Sequence, residues 1–329
     1  MKRWRPVAWL LLVLTVGTVT ARHVSREYLV VSPGVVRDAA PMISVGGLAD
    51  PGREGFLVTT VYAAEPSPAE MVRALGRRGS TLVRRRLFTL PGETLDDYQE
   101  RAGLVMAESQ RLAVVAALLH LGHDATLAGD GAQVAYVLPG GRLDGQVAKG
   151  DTIVALDGRP IHLAADLAAE TMELRLGAEV VLLVEDAGGH RREISTYAGF
   201  AGGPELTLGL SVVTRAPRVE GSVEVTIEAG EIGGPSAGLA FALEIVDRLH
   251  PDDLVGGRRI AATGTVAQDG RVGPVGGVPF KVWAAEREGA DLLLVPLTNL
   301  AEAQAAARRL QVVAVASLEE AVSRLGESR

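Results

Sequence analysis

Residues 231–238 read EIGGPSAG, and residues 263–281 read TGTVAQDGRVGPVGGVPFK. The first stretch stands where strand-like sequence gives way to helix-like sequence. Pro235 suits a first helical turn, where its missing N–H is not needed, and Gly233 and Gly234 let the backbone come close to a substrate. Ser236 then falls where free N–H groups and the helix dipole favour negative charge, as the oxyanion of acyl transfer requires. A hydroxyl nucleophile also needs a base. Gly234, Ser236 and Gly238 match G-x-S-x-G, but hydrolases with that elbow need an acid and then a histidine further along. A single histidine, His250, follows, at the end of the same predicted helix. An S-x-x-K arrangement fails because Leu239 occupies the lysine position. Of 33 basic residues only Lys2, Lys149 and Lys281 are lysine. Arginine keeps its proton in proteins and lysine can lose it. Lys281 is therefore the candidate base.

From residue 205 onward strands are expected over 206–213, 222–228, 259–265, 291–295 and 312–315. Helices are expected over 235–249, 280–288, 300–310 and 318–325. That alternation predicts an α/β domain with helices packed on a sheet. Residues 205–329 resemble the Lon-type serine–lysine protease domain (peptidase family S16). The matching motifs are GGPSAG around Ser236, then TGT-x₃-DG-x-V-x-x-x-GG-x-x-x-K with Thr263, Gly270, Gly276, Gly277 and Lys281. The resemblance implies Ser236 as nucleophile, Lys281 as general base and Thr263 as the residue that orients the lysine, with Gly234, Pro235 and Ala237 in supporting places. Two positions depart from the family pattern. Gly233 replaces an acidic residue, with Glu231 two places earlier, and Thr265 replaces a glutamate. No G-x-x-x-x-G-K-[ST] phosphate loop occurs in the chain, so the resemblance implies ATP-independent proteolysis with no nucleotide, metal or other cofactor.

Residues 131–196 have a different texture. A strand over 133–138, a Gly-rich turn, a strand over 152–156, a helix over 164–176 and a strand over 179–185 are expected. Gly150, Asp151, Ile153, Asp157 and Gly158 give GD-x-I-x-x-x-D-G, and the segment resembles a bacterial PDZ domain. Such domains bind extended peptide ends by adding a strand to a sheet edge, which the resemblance places at Gly131, Ala132 and Gln133. A PDZ-shaped packing module without peptide affinity is the alternative. Lys149 reads as a surface residue.

Upstream, residues 94–121 give the clearest helix, with Thr94, Asp96 and Asp97 at its start and Leu104, Val105, Leu112, Val115, Ala116 and Leu119 on its apolar face. His120 and His123 lack the further ligand that a metal site needs. A shorter helix is expected over 67–75, capped by Ser67 and Glu70. The basic runs 77–78 and 84–86 read either as a contact for anionic lipid or a partner protein or as a solvated face near a membrane.

Residues 7–21 (VAWLLLVLTVGTVTA) carry no charge and follow Lys2, Arg3 and Arg5. The run would reach about 22 Å as a helix, short of a ~30 Å hydrocarbon core. It reads either as a short signal anchor or as a signal peptide cleaved after Ala21. Both readings put the N-terminus in the cytoplasm and the rest outside. The first makes the protein a single-pass membrane protein and the second a secreted one. The remaining composition fits a folded chain: 329 residues, 47% hydrophobic, with no cysteine and a formal charge of −7. That charge argues against nucleic acid as a partner, and the absence of cysteine excludes disulfide frameworks and thiol catalysis. The expected organisation is a cytoplasmic tail (1–6), the apolar segment (7–21), an N-terminal α/β region (22–126), a β-rich PDZ domain (127–198) and an α/β (α+β) Lon-type proteolytic domain (203–329). Expected partners are peptide or protein substrates, the membrane through the N-terminal segment, and a second copy of the chain in a homo-oligomer. The rival readings are a non-catalytic PDZ and Lon-like scaffold and a hydrolase of non-peptide esters or amides.

Overall fold

The computed structural model describes residues 25–46, 52, 54–76, 79–199, 208–230, 232–250 and 253–327. The apolar segment 7–21, the basic pair 77–78 and Glu231 lie outside the described residues. The main body is built on a six-stranded mixed sheet. Its order is β18 (Gln311–Val315), β17 (Leu292–Pro296), β14 (Ile260–Ala262), β3 (Leu57–Ala64), β1 (Tyr28–Asp38) and β4 (Thr81–Arg84). The four strands from β18 to β3 run parallel, and β1 is antiparallel to both β3 and β4. Residues 22–126, expected to stand ahead of the proteolytic domain, thus supply three of its six strands.

Alternation along the central strands buries both faces. Val58, Ile260, Ala262, Leu292 and Leu294 face a core formed with α2 (Leu95–His120), α4 (Gly238–Leu249) and α7 (Leu318–Glu327). Leu57, Ala261, Leu293 and Val295 face the other way, against α5 (Val278–Glu288) and α6 (Leu300–Ala306). Parallel strands covered on both faces read as continuous apolar runs, which is why LLLVP at 292–296 carries no polar position. Helix α1 (Pro68–Gly76) lies beside β4, and Ser67 and Glu70 bond each other at its start as their spacing predicts. The helix start expected at Thr94 is found, and Thr94 and Asp97 form a capping box there on α2. Helix α2 is long and apolar enough to cross a membrane by composition, yet half of that window is buried inside the protein; here it is a core helix.

A second sheet is inserted between α2 and the motif-bearing half of the chain. Its order is β10 (Arg191–Tyr197), β9 (Glu179–Glu185), β7 (Thr152–Leu156), β6 (Ala132–Val137) and β11 (Leu210–Thr214), with β8 (Arg159–Pro160) paired to β7 and α3 (Ala164–Met172) packed over β6 and β11. The signature acids of this segment serve its fold. Asp151 accepts from the Ala148 amide and pairs with Arg192, and Asp157, at φ 48°, accepts from the Val181 amide. Lys149 is exposed and pairs with Glu100. The insert is entered and left through the antiparallel pair β5 (Ala125–Ala128) and β12 (Arg218–Gly221). The remaining short pairs are β2 (Ile43–Val45) with β13 (Val225–Ile227), and β15 (Thr265–Val266) with β16 (Val272–Gly273).

Candidate active site

The site forms where β14 ends. Helix α4 lies on one face of the sheet and α5 on the other, so their side chains meet over the carboxyl end of a parallel strand, a usual position for α/β sites. The helix expected over 235–249 begins as a one-turn 3₁₀ segment, Pro235–Ala237, before α4 takes over at Gly238. Gly234 precedes it at φ 83°, a conformation that L side chains resist. Pro235 and Ser236 are half-buried, and Ala237 is buried. Ser236 thus opens a turn whose first N–H groups have no partner within the helix.

The strand expected over 259–265 stops at Ala262, and Thr265 instead joins the β15–β16 ribbon. Between them Gly264 permits a close crossing: a Cβ there would lie 2.8 Å from Val272 Cγ1 and 3.4 Å from Leu239 Cβ. The Gly264 amide donates to the Ser236 carbonyl oxygen at 2.9 Å, and the fully buried Thr263 hydroxyl donates to the same oxygen at 3.1 Å. The pair after β14 therefore holds the peptide group of Ser236.

Lys281, in the first turns of α5, is 3% exposed. Its Nζ lies 2.8 Å from Ser236 Oγ, and Nζ donates to the Thr59 carbonyl oxygen at 3.2 Å. Pairing of β3 with β14 ends at Val58 and Ala262, and Thr59 is the next residue along β3. A neutral amine has two N–H groups and one lone pair; Thr59 takes an N–H, and the lone pair is left for the serine proton. Burial alone lowers the amine from 10.5 to about 8, and no carboxylate pairs with it among the described residues. This is how desolvation acts on an unpaired cation.

Ser236, Lys281 and Thr263 are brought together, with Gly234, Pro235 and Ala237 forming the serine's turn. The resemblance has Thr263 orient the lysine; here its hydroxyl is bonded to the serine carbonyl, and the lysine's second partner is the Thr59 carbonyl. A backbone oxygen in a strand 222 residues away leaves no signal in side-chain patterns. Gly131, Ala132 and Gln133 are placed elsewhere, in the second sheet. Strand β6 is hydrogen-bonded to β7 on one side and β11 on the other, and Ala132 is fully buried. No peptide strand can be added there. Among the described residues the two edge strands of this sheet are β10 and β11, and β11 is the one that lies beside α3.

Residues 220–325, which hold this turn and the lysine, match the Lon protease (S16) C-terminal proteolytic domain. That stretch is a serine-peptidase domain of the Lon type. Lon protease 2 of Bacillus subtilis is 31% identical over 94 residues, which are 29% of this chain and 17% of that protein. Lon protease 2 of Herpetosiphon aurantiacus is 35% identical over 91 residues, 26% and 11% of the two chains. The Lon protease of Elusimicrobium minutum is 42% identical over 66 residues, 20% and 8%. The matched region spans less than a fifth of each of these relatives.

Proposed function

We propose that this chain is an ATP-independent serine endopeptidase with a Ser–Lys dyad, acting on exported peptides or small membrane-linked proteins. The observation that carries the reading is the 2.8 Å approach of a buried, partner-poor lysine amine to a half-exposed serine hydroxyl at a helix start. Ser236 Oγ attacks the scissile carbonyl carbon as its proton passes to neutral Lys281 Nζ. The carbonyl electron pair moves onto oxygen, where the first N–H groups of the Ser236 turn stabilise it. Collapse of that intermediate expels the amine, which leaves with the proton from Lys281. Water, deprotonated by the same amine, then hydrolyses the acyl-enzyme.

The second sheet is read as a PDZ-like module that holds substrate tails along the outer edge of β11 beside α3, raising the local concentration of cleavable chain. The free edge of β11 and the GD-x-I-x-x-x-D-G signature support this. Residues 7–21 are read as a membrane anchor with the catalytic body outside, supported by the basic residues before them.

Incubating the protein with a fluorophosphonate probe and a peptide library tests the reading. Label on Ser236, and peptide cleavage that is lost in Ser236→Ala and Lys281→Arg and unaffected by ATP with Mg²⁺, are expected. Absence of both label and cleavage would leave the scaffold reading, and cleavage of esters alone would leave the non-peptide hydrolase.

A further inference from the structure

The long helix α2 touches both the serine turn and the inserted sheet, and it does so through adjacent residues. Ser109, 4% exposed, donates its hydroxyl to the Pro235 carbonyl oxygen at 3.0 Å. That oxygen also accepts from the Gly238 amide that starts α4. Two turns earlier, the Ala102 carbonyl accepts from the Gly234 amide at 3.0 Å. Gly234 and Pro235, the two residues before Ser236, are thus pinned from α2. A buried helical serine would otherwise bond back to its own helix; here its hydroxyl bonds to the residue preceding the nucleophile.

Glu108 is the neighbouring residue, turned about 100° around the helix, and its carboxylate faces the insert. It accepts from the Thr214 amide at 3.3 Å and from the Thr214 hydroxyl. Thr214, 3% exposed, is the last residue of β11, and its hydroxyl oxygen also accepts from the Ala164 amide at the start of α3. The next amide along, of Arg215, points to Gly131 beside β6. The Thr214 amide therefore faces the outer edge, and Glu108 occupies the end of the edge along which a strand would be added. An unbroken series of hydrogen bonds and helix runs from α3 and β11 through Glu108 and Ser109 to the turn that carries Ser236.

We propose that Ser109 is a positioning residue for the nucleophile, and that Glu108 with Thr214 makes its hold on Ser236 depend on the state of the inserted sheet. This rests on the peptidase reading above. Ser109 touches no reacting atom; it acts by fixing the Pro235 carbonyl and so the direction in which Ser236 Oγ and the turn's N–H groups point. Loss of such alignment lowers the rate of acylation and spares ground-state binding.

A double-mutant cycle on the full chain tests both parts, with hydrolysis of a short peptide and fluorophosphonate labelling as readouts. Ser109→Ala should lower kcat and the labelling rate about three- to tenfold with KM unchanged, as befits one lost buried hydrogen bond. Thr214→Val should lower kcat by a smaller factor, and that factor should vanish in the Ser109→Ala background. Ala116→Gly, a buried change on the same helix away from the turn, supplies a destabilised control and should leave kcat alone. A wild-type kcat in Ser109→Ala, or an equal loss in Ala116→Gly, overturns the positioning role. Factors that multiply independently overturn the link to the insert. Wild-type protein that neither cleaves peptide nor takes the label at Ser236 refutes the peptidase reading itself, and this inference falls with it.

Discussion

Replacing Lys281 by methionine should abolish turnover and yet make the protein more stable at neutral pH. The amine is 3% exposed, and burial lowers it from 10.5 to about 8. At about 1.4 kcal/mol per pH unit of that difference, folding with this amine costs about 3 kcal/mol where it is protonated in both states. Between pH 8 and 10.5 the unfolded chain binds more protons than the folded one, so stability rises with pH across that window; below 8 the full cost applies. Methionine fills a similar volume without a charge to desolvate. It leaves Ser236 Oγ and the Thr59 carbonyl without their partner, an offset of about 1 kcal/mol each. The Lys281→Met protein should therefore be about 1 kcal/mol more stable than wild type near pH 7 and about 2 kcal/mol less stable near pH 10.5, where burying the lysine no longer carries a protonation cost. Urea unfolding at the two pH values reads both differences. A methionine variant that is less stable by the same amount at both would mean that burial does not lower the amine's pKa, and the dyad argument would fail.

Peptide hydrolysis by the wild-type protein should rise about tenfold per pH unit below the lysine's midpoint near 8 and level off above it; a flat profile from pH 6 to 9 would contradict a lysine base. Thr263→Val should lower kcat about tenfold by loosening the Ser236 carbonyl, with the pH midpoint unmoved because the hydroxyl bonds that carbonyl and not the amine. A shift of that midpoint would return Thr263 to the lysine-orienting role. Gly234→Ala meets open space, so its effect should come from the backbone at φ 83° and ψ 151° alone: a penalty of about 1–3 kcal/mol, read as slower fluorophosphonate labelling with little change in KM.

The proposed catalytic pair is legible in the amino-acid sequence because each member sits in a local pattern with its own chemistry. Pro235 and the flanking glycines define a turn, and Lys281 stands out in a chain that has otherwise exchanged lysine for arginine. The helix start at Thr94, the strand at 179–185 and the alternation of strands and helices after residue 205 are equally local, since caps, periodicity and β-branched runs act within a few residues. Long-range association is not legible. That β1, β3 and β4 complete the sheet of the motif-bearing half depends on which apolar faces pair across some 200 residues, and similar strands could pair in several ways. The same applies to β11, whose pairing with β6 closes the edge expected at residues 131–133 and opens another. Local pattern thus names the side chains that carry the chemistry. Packing settles their state: the lysine is desolvated, its second partner is the Thr59 carbonyl, and Thr263 serves the serine's peptide group. Burial and backbone acceptors are properties of packed elements, and they leave no mark on the residues that will supply them.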